Sequence, residues 1–308
     1  MPTMPTIFVC GATGAQGGAM VNNLLKSNMK AQAIARDPSS KASQALQSAG
    51  ATLFKGDFDD EDSLRQGMKG CTGLFLNLKP DLTDISRELV QAKRILSVAK
   101  EVGIQQVVYS SGFAVPEPQR LRYWDPNSFV ANILLSKQAV EAEVRSAGFK
   151  TWTIIRPGSF MANMLPPHVH MMYAGLVDKG EFATALTPET VLPMIDTNDI
   201  GKFGAAAFGD PDRFHEKEFE IASELLGMDD LVKSLSRATG RHLKVNYLAE
   251  DEVDRQKATN PFLAGQQFAR DMVQFVDMDE VRAWGIPLGT FEQFLEREKD
   301  RVAQAYCV

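Results

Sequence analysis

Apolar and polar positions fall along this chain in alternating short blocks. Residues 6–10, TIFVC, make a compact β-branched run, glycines follow at once, and Met20, Val21, Leu24 and Leu25 then recur on one helical face. That succession predicts strand, tight turn and helix. It continues as strand 31–36, helix 40–49, strand 51–55, helix 60–69, strand 72–78, helix 83–102, strand 105–111, helix 128–147 and strand 151–156 (TWTIIR). Strands that are apolar on both faces and separated by helices call for a parallel sheet covered on both sides. The expected fold class is α/β: a Rossmann-type, doubly wound parallel sheet over residues 1–157.

Beyond Pro157 the pattern loosens into a stretch holding Pro166, Pro167, His168 and His170, which reads as a long loop bordering a ligand. Asp199 reads as the N-cap of a helix through Phe208, and 218–222 (EFEIA) as a late strand added to the first sheet. A helix over 228–239 ends at Gly240, and a strand over 243–248 precedes further helices. No repeat or clean linker interrupts the chain. Residues 158–308 are therefore expected to form, for the most part, a smaller C-terminal α/β lobe for substrate or partner, with the cleft beside the first domain as the ligand site.

Charge narrows the choice of ligand. The sum of 33 basic and 39 acidic residues is −6, and no run of lysine or arginine occurs, so direct nucleic-acid binding is not expected. Cys10, Cys71 and Cys307 are too few and scattered for a disulfide framework, which fits a reducing compartment. Residues 1–6 run straight into the first strand without the basic and apolar regions of a secretory signal, and no apolar stretch is long enough for a bilayer. The expected protein is soluble and cytoplasmic, or also nuclear if it is a regulator.

The chemistry concentrates at GATGAQGG, residues 11–18, between the first strand and the first helix. Glycines let the backbone turn tightly and approach a pyrophosphate, and a helix N-terminus supplies amides and a positive dipole. Gly11, Thr13, Gly14, Ala15, Gln16 and Gly17 are thus the candidate phosphate loop. Its spacing is GxxGxxG, which in isolation is also compatible with a plain turn. Arg36 closes the second strand, where a fold selecting NAD places an acid on the ribose. An arginine there invites a 2′-phosphate, with Lys41, Ser39 and Ser40 nearby, so NADP(H) is the expected cofactor; the plainer reading is a solvated arginine beside Asp37. Asp57 and Phe58 follow the third strand, either flanking an adenine or serving as turn and core residues.

These residues resemble the NmrA-like group of atypical short-chain dehydrogenases, related to isoflavone reductase-like enzymes. The resemblance runs over nearly the whole chain through GATGAQGG, Ala35-Arg36-Asp37-Pro38, Gly56-Asp57-Phe58, Lys137 with Glu141, and Arg156-Pro157-Gly158-Ser159-Phe160-Met161-Ala162-Asn163. It implies Asn77 and Leu78 beside the ribose and nicotinamide, Ser111 at the end of strand five, Lys137 near the nicotinamide ribose, and Pro157, Gly158 and Phe160 as the nicotinamide wall. One departure stands out: Ile133 occupies the position four before Lys137 where related dehydrogenases carry a tyrosine. The group holds NADPH-dependent reductases alongside proteins that bind the nucleotide to report redox state to a regulatory partner. The expected function is an NADPH-dependent oxidoreductase acting on a carbonyl, quinone or conjugated group of a small apolar or aromatic molecule, with Ser111 and Lys137 as catalytic residues. The alternative is a redox-sensing regulator working through a protein partner without turnover.

Three weaker signals complete the reading. His168 and His170 are two apart but lack a third ligand, so no metal is expected. Phe160, Met161, Met164, Met171, Met172 and Tyr173, with Phe113, Tyr123 and Trp124, read either as lobe packing or as an apolar substrate pocket. Cys10 reads as a small core residue.

Overall fold

Ile7, Phe8 and Val9 of β1 (Thr6–Val9) are all buried, which a strand achieves only when both faces of its sheet are covered. The computed structural model describes residues 4–81, 83–257 and 259–306; residues 1–3 and Cys307 of the sequence reading lie outside them. The chain divides into two units. One gathers Met1–Pro116, Asn132–Arg156 and Thr197–Phe219, the other Glu117–Ala131, Pro157–Asp196 and Glu220–Val308.

The first unit is built on β1, β2 (Lys30–Ala35), β3 (Thr52–Lys55), β4 (Gly73–Leu76), β5 (Gln106–Ser110) and β6 (Thr151–Pro157). These six strands run parallel in the order β6-β5-β4-β1-β2-β3, and the strand Lys217–Ile221 flanks β6. Crossover helices α1 (Ala15–Lys26), α2 (Lys41–Ser48), α3 (Glu61–Met68), α4 (Ser86–Glu101) and α5 (Phe129–Ser146) connect them. This is a Rossmann-type doubly wound sheet. Strand order reverses between β1 and β4, and ligands of open α/β sheets settle at such a switch point, outside the carboxyl ends of the strands.

On one face Phe8, Leu74, Leu76, Val107 and Tyr109 pack with Leu64 and Met68 of α3, Ile95 and Ala99 of α4, and Val140 and Val144 of α5. The other face is covered by α1 and the helix Thr197–Gly209. A Cβ on Gly73 would come within 2.8 Å of both Ile7 and Phe208, and one on Gly204 would meet Met20 at 2.0 Å. Residues 197–219 therefore belong with the first unit, not with the C-terminal lobe in which the sequence reading left all but the late strand. The helix begins at Thr197, so Asp199 sits in its first turn, where its carboxylate accepts from Lys202 at 2.7 Å, and is not the N-cap.

The second unit contains a three-stranded sheet in which Val191–Ile195 lies between Glu224–Gly227 and Ser159–Phe160, and a parallel pair Glu181–Thr184 with Lys244–Tyr247. The expected long loop after Pro157 thus carries three strands and the short helix His168–Met172. Helix Met228–Thr239 stops where Gly240 turns to φ +68°, and Phe291–Arg297 opens with a reciprocal Thr290–Gln293 capping box. Met161, Met164, Tyr173, Phe182, Phe291 and Phe294 form the core of this unit, so those methionines pack the lobe, while Met171 is exposed. Among the described residues no helix is long and apolar enough to cross a membrane, and no three His, Cys, Asp or Glu side chains are gathered as metal ligands.

The contact of α1 with Thr197–Gly209 generates a test. A Cβ on Gly201 would lie 2.6 Å from the Ala19 carbonyl oxygen, which belongs to the backbone and cannot swing aside. Gly201→Ala should destabilise the protein by about 2 kcal/mol through overpacking, read as a lower urea midpoint at unchanged slope. Gly209→Ala, in the same helix but with open space around the added methyl, should stay within about 0.5 kcal/mol of the parent.

Candidate functional site

The turn from β1 into α1 is shaped by two glycines. Gly11 sits at φ +63°, where a side chain is strained, and its carbonyl oxygen lies 2.2 Å from where a Cβ on Gly17 would be. Only glycine at both positions lets the helix start this close to the strand. Gly14 is the helix N-cap and has no side chain with which to bond the first-turn amides. Thr13, Gly14 and Ala15 are exposed; the Gly14 amide is taken by the Gly11 carbonyl at 2.9 Å, so what the surface offers an anion here is the helix start at Ala15. A Cβ on Gly14 would touch only the Gly11 oxygen, at 3.3 Å. Gln16 is half-buried and engaged differently: its side chain accepts from the Ser110 hydroxyl at 2.7 Å, tying α1 to the end of β5.

A cavity of about 440 Å³ opens beside this loop, lined by Gly11, Thr13, Arg36, Asp57, Phe58 and Leu78 together with Lys79, Pro80, Asp81, Arg87 and Gln91. Six of the residues singled out in the sequence thus share one chamber. Asn77 adjoins it, its side-chain nitrogen 3.2 Å from the position of a Cβ on Gly11. Lys41 does not line it; this lysine is exposed in the first turn of α2. The hydroxyls of Ser39 and Ser40 are committed locally, Ser39 donating to Asp37 at 2.6 Å and Ser40 capping α2. Asp37 is therefore bound to its own turn, with its carboxyl held below the usual range first by the Ser39 hydroxyl. It does not neutralise Arg36.

Neither Arg36 nor Lys79 has an ion-pair partner among the described residues, whereas Arg87 bridges Asp59 and Asp81. Asp81 is pushed down to about 2, chiefly by the Thr83 hydroxyl, and Asp59 is lowered chiefly by Arg87, so both carboxylates stay ionised near neutral pH and keep Arg87 in place. Arg36 and Lys79 are the cavity's cations outside any ion pair, with Asp57 the carboxylate outside any ion pair among its lining residues. Asp57 accepts the amide of Asp59 in its own turn, as the turn reading expects, and also lines the cavity. Phe58 likewise lines the cavity and packs against the core.

At the carboxyl end of β5 lies a second polar group. Lys137 Nζ donates to Glu88 Oε1 at 2.9 Å, and Glu88 is 1% exposed. The lysine stem crosses Gly112, whose added Cβ would stand 3.4 Å from Cδ. Ser111 is buried, its amide bonded to Ile155; its hydroxyl makes no hydrogen bond of normal geometry but stands close enough to the Tyr109 hydroxyl to counter part of that phenol's upward shift, and the second Glu88 oxygen lacks a partner among the described residues. The Tyr109 phenol is pushed far above its ordinary range, first by burial and then by the carboxylates of Glu88 and Glu141, so it remains a neutral hydroxyl. Glu141 is separately committed to Arg145 and Arg156.

The sequence reading missed Glu88, Tyr109, Lys79 and Arg87. One signal was available: Glu88 falls in line with Ala92, Ile95, Leu96 and Ala99, a carboxylate on an otherwise apolar helix stripe. Pro157, Gly158 and Phe160 belong to the second unit, where the Gly158 amide bonds Ile221 and Phe160 pairs opposite Ile195. His168 and His170 share the short helix His168–Met172.

The arrangement of the first unit suits an extended, phosphorylated ligand, since one cavity is lined both by the glycine loop at the start of α1 and by the unpaired cations Arg36 and Lys79. Comparison with known proteins agrees on the family. The chain is similar to the NmrA-like family domain-containing oxidoreductase malD of Malbranchea aurantiaca, at 30% identity over 250 residues, 76% of this chain and 73% of that protein. Its fold is similar to that of the NADPH-dependent quinone oxidoreductase QOR2 of Escherichia coli, with a TM-score of 0.71 at 20% identity over 96% of this chain and 99% of that one. It is also similar to that of NmrA, a negative transcriptional regulator solved in complex with NAD, with a TM-score of 0.66 at 21% identity over 98% and 91% of the two chains. Since the model of the NmrA-like family matches residues 3–299, almost the full length, the chain belongs to that family.

Proposed function

We propose that the protein is an NADP(H)-dependent oxidoreductase that reduces a carbonyl, quinone or conjugated group of a small apolar or aromatic molecule. The observation that carries this reading is the cavity joining the glycine loop to an unpaired Arg36. The residues fit the dinucleotide: the uncapped α1 amides suit its diphosphate, Arg36 and Lys79 suit a 2′-phosphate, and Asp57 and Phe58 flank the space for an adenine. When bound, the reduced cofactor supplies the hydride. Ser111, whose buried hydroxyl makes no hydrogen bond of normal geometry, donates a hydrogen bond to the oxygen that gains charge, and Lys137 orients the ribose and holds positive charge near the same oxygen. The oxidoreductase name of malD and the quinone activity named for QOR2 support the choice of acceptors.

A sensor without turnover has one observation in its favour: Ile133, half-buried on α5, stands where a proton-donating tyrosine is otherwise expected. Consumption of NADPH against a panel of quinones and aromatic ketones separates the two. Oxidation with at least one acceptor supports the reductase. Tight NADPH binding with no oxidation by any acceptor overturns it in favour of the sensor.

The cation pattern sets the nucleotide preference. NADPH should bind at least about tenfold more tightly than NADH, a difference of about 1.4 kcal/mol, and Arg36→Ala should erase most of it. Titration of both nucleotides by intrinsic fluorescence checks this; equal affinities in the parent protein would remove Arg36 from phosphate recognition.

Gly14 offers a cleaner separation of binding from folding than Gly17, because an added Cβ there meets one backbone oxygen at 3.3 Å, against the 2.2 Å collision at Gly17. Gly14→Val should abolish binding of either nucleotide while the thermal midpoint moves only slightly, the branched side chain occupying the volume that a diphosphate needs. A variant that binds NADPH normally would leave the glycines with the turn alone.

A further inference from the structure

We infer that Glu88 is a positioning residue for Lys137, its buried carboxylate fixing where the ammonium sits at the carboxyl end of β5. This inference rests on the reading of Lys137 as a cofactor-site residue. Four observations carry it. The carboxylate lies on the stripe of α4 that is otherwise apolar, against the core. Its charge partner is Lys137, from a helix 49 residues further on, at 2.9 Å. The lysine is fixed at both ends, with its stem against Gly112 and its head on Glu88. The other carboxylate of this region, Glu141, is taken by two arginines and leaves Lys137 to Glu88.

A purely structural role accounts poorly for these facts. Desolvating a carboxylate and an ammonium consumes most of what their attraction returns, so a buried pair is a weak source of stability compared with an apolar pair of the same volume. The cost is higher here, because Glu88 Oε2 is left without a partner among the described residues. What the carboxylate does achieve is directional. A lysine side chain has four rotatable bonds, and an anion at a fixed point selects one arrangement of them before any ligand arrives. With Glu88 in place, the ammonium is held next to the strand end that carries the buried Ser111 hydroxyl.

A residue that acts only through another has no effect once the other is gone. The test is a double-mutant cycle with Glu88→Gln, Lys137→Met and the two combined, each checked for folding by circular dichroism and thermal midpoint, and assayed for turnover and for NADPH affinity. Glu88→Gln keeps shape and hydrogen bonding while deleting the charge. It should lower kcat about tenfold in the parent background, with KM for NADPH changed less than threefold, and should change kcat less than twofold in the Lys137→Met background. A Glu88→Gln effect of equal size in both backgrounds, or none in the parent, overturns the inference. Should Glu88→Gln alone fail to fold, the comparison of Lys137→Met with the double variant, which strands no charge, decides: equal kcat supports positioning and a difference above threefold overturns it. If the parent oxidises NADPH with no acceptor, the reductase reading fails by itself, and the cycle is read on NADPH affinity. There Glu88→Gln should weaken binding at least threefold with Lys137 present and not without it; equal weakening in both backgrounds, or none, overturns the inference.

Discussion

The first unit depends on one backbone contact, that of the Gly11 carbonyl with Cα of Gly17. Any side chain at Gly17 would collide with that oxygen at 2.2 Å, so α1 can begin directly over the end of β1 only because both residues lack one. From this contact follow the rest of the features of the loop. Gly14 becomes the N-cap without a capping side chain, and Gln16 is brought to Ser110. The same close start sets the line of α1 along the sheet, where Met20 and Ala19 meet Gly204 and Gly201 of the helix Thr197–Gly209. A local rule about two glycines thereby propagates, through rigid helix packing, to a helix some 180 residues away.

The division of labour between the two polar groups of this unit follows from burial. The cavity at the glycine loop and Arg36 is open and carries unpaired cations, as a site must if it is to attract a solvated anion. In the group at Glu88, Tyr109, Ser111 and Lys137 all but the half-buried lysine are buried, and the two charges are paired, so it is suited to orienting atoms and not to capturing them. A reductase needs both properties, in adjacent places along the carboxyl ends of the strands.

Much of this was legible in the sequence where the cause is local. Strand, loop and helix in order made GATGAQGG readable, and Arg36 was readable by its distance from the loop. Lys41 is not among the residues lining the cavity, because being near Arg36 along the chain does not aim a side chain at it; as the first residue of α2 it is exposed. Glu88 stayed hidden because its meaning lies in Lys137, 49 residues away, although its place on an apolar stripe was a warning. The helix Thr197–Gly209 was visible as a helix but not as a cover for the first sheet, since periodicity gives a buried face and not its partner; Gly201 and Gly204, three apart, were the trace of a close helix contact. The methionines of 161–172 looked equally like pocket and core because methionine serves both.

The assembly of the first unit from three separate stretches, the last ending at Phe219, bears on how the protein is made. A nascent chain released to about residue 157 would have all six parallel strands but not the helix that covers Ile7, Gly73 and Phe75, nor the strand that flanks β6. Such an intermediate exposes an apolar sheet face and an unpaired edge, the two features that recruit chaperones or neighbouring chains during synthesis. An isolated fragment cut after Pro157, however natural it looks as a nucleotide-binding domain, is for this reason an aggregation-prone sheet with one face and one edge uncovered, and the earliest stopping point for a self-sufficient first unit lies beyond Phe219.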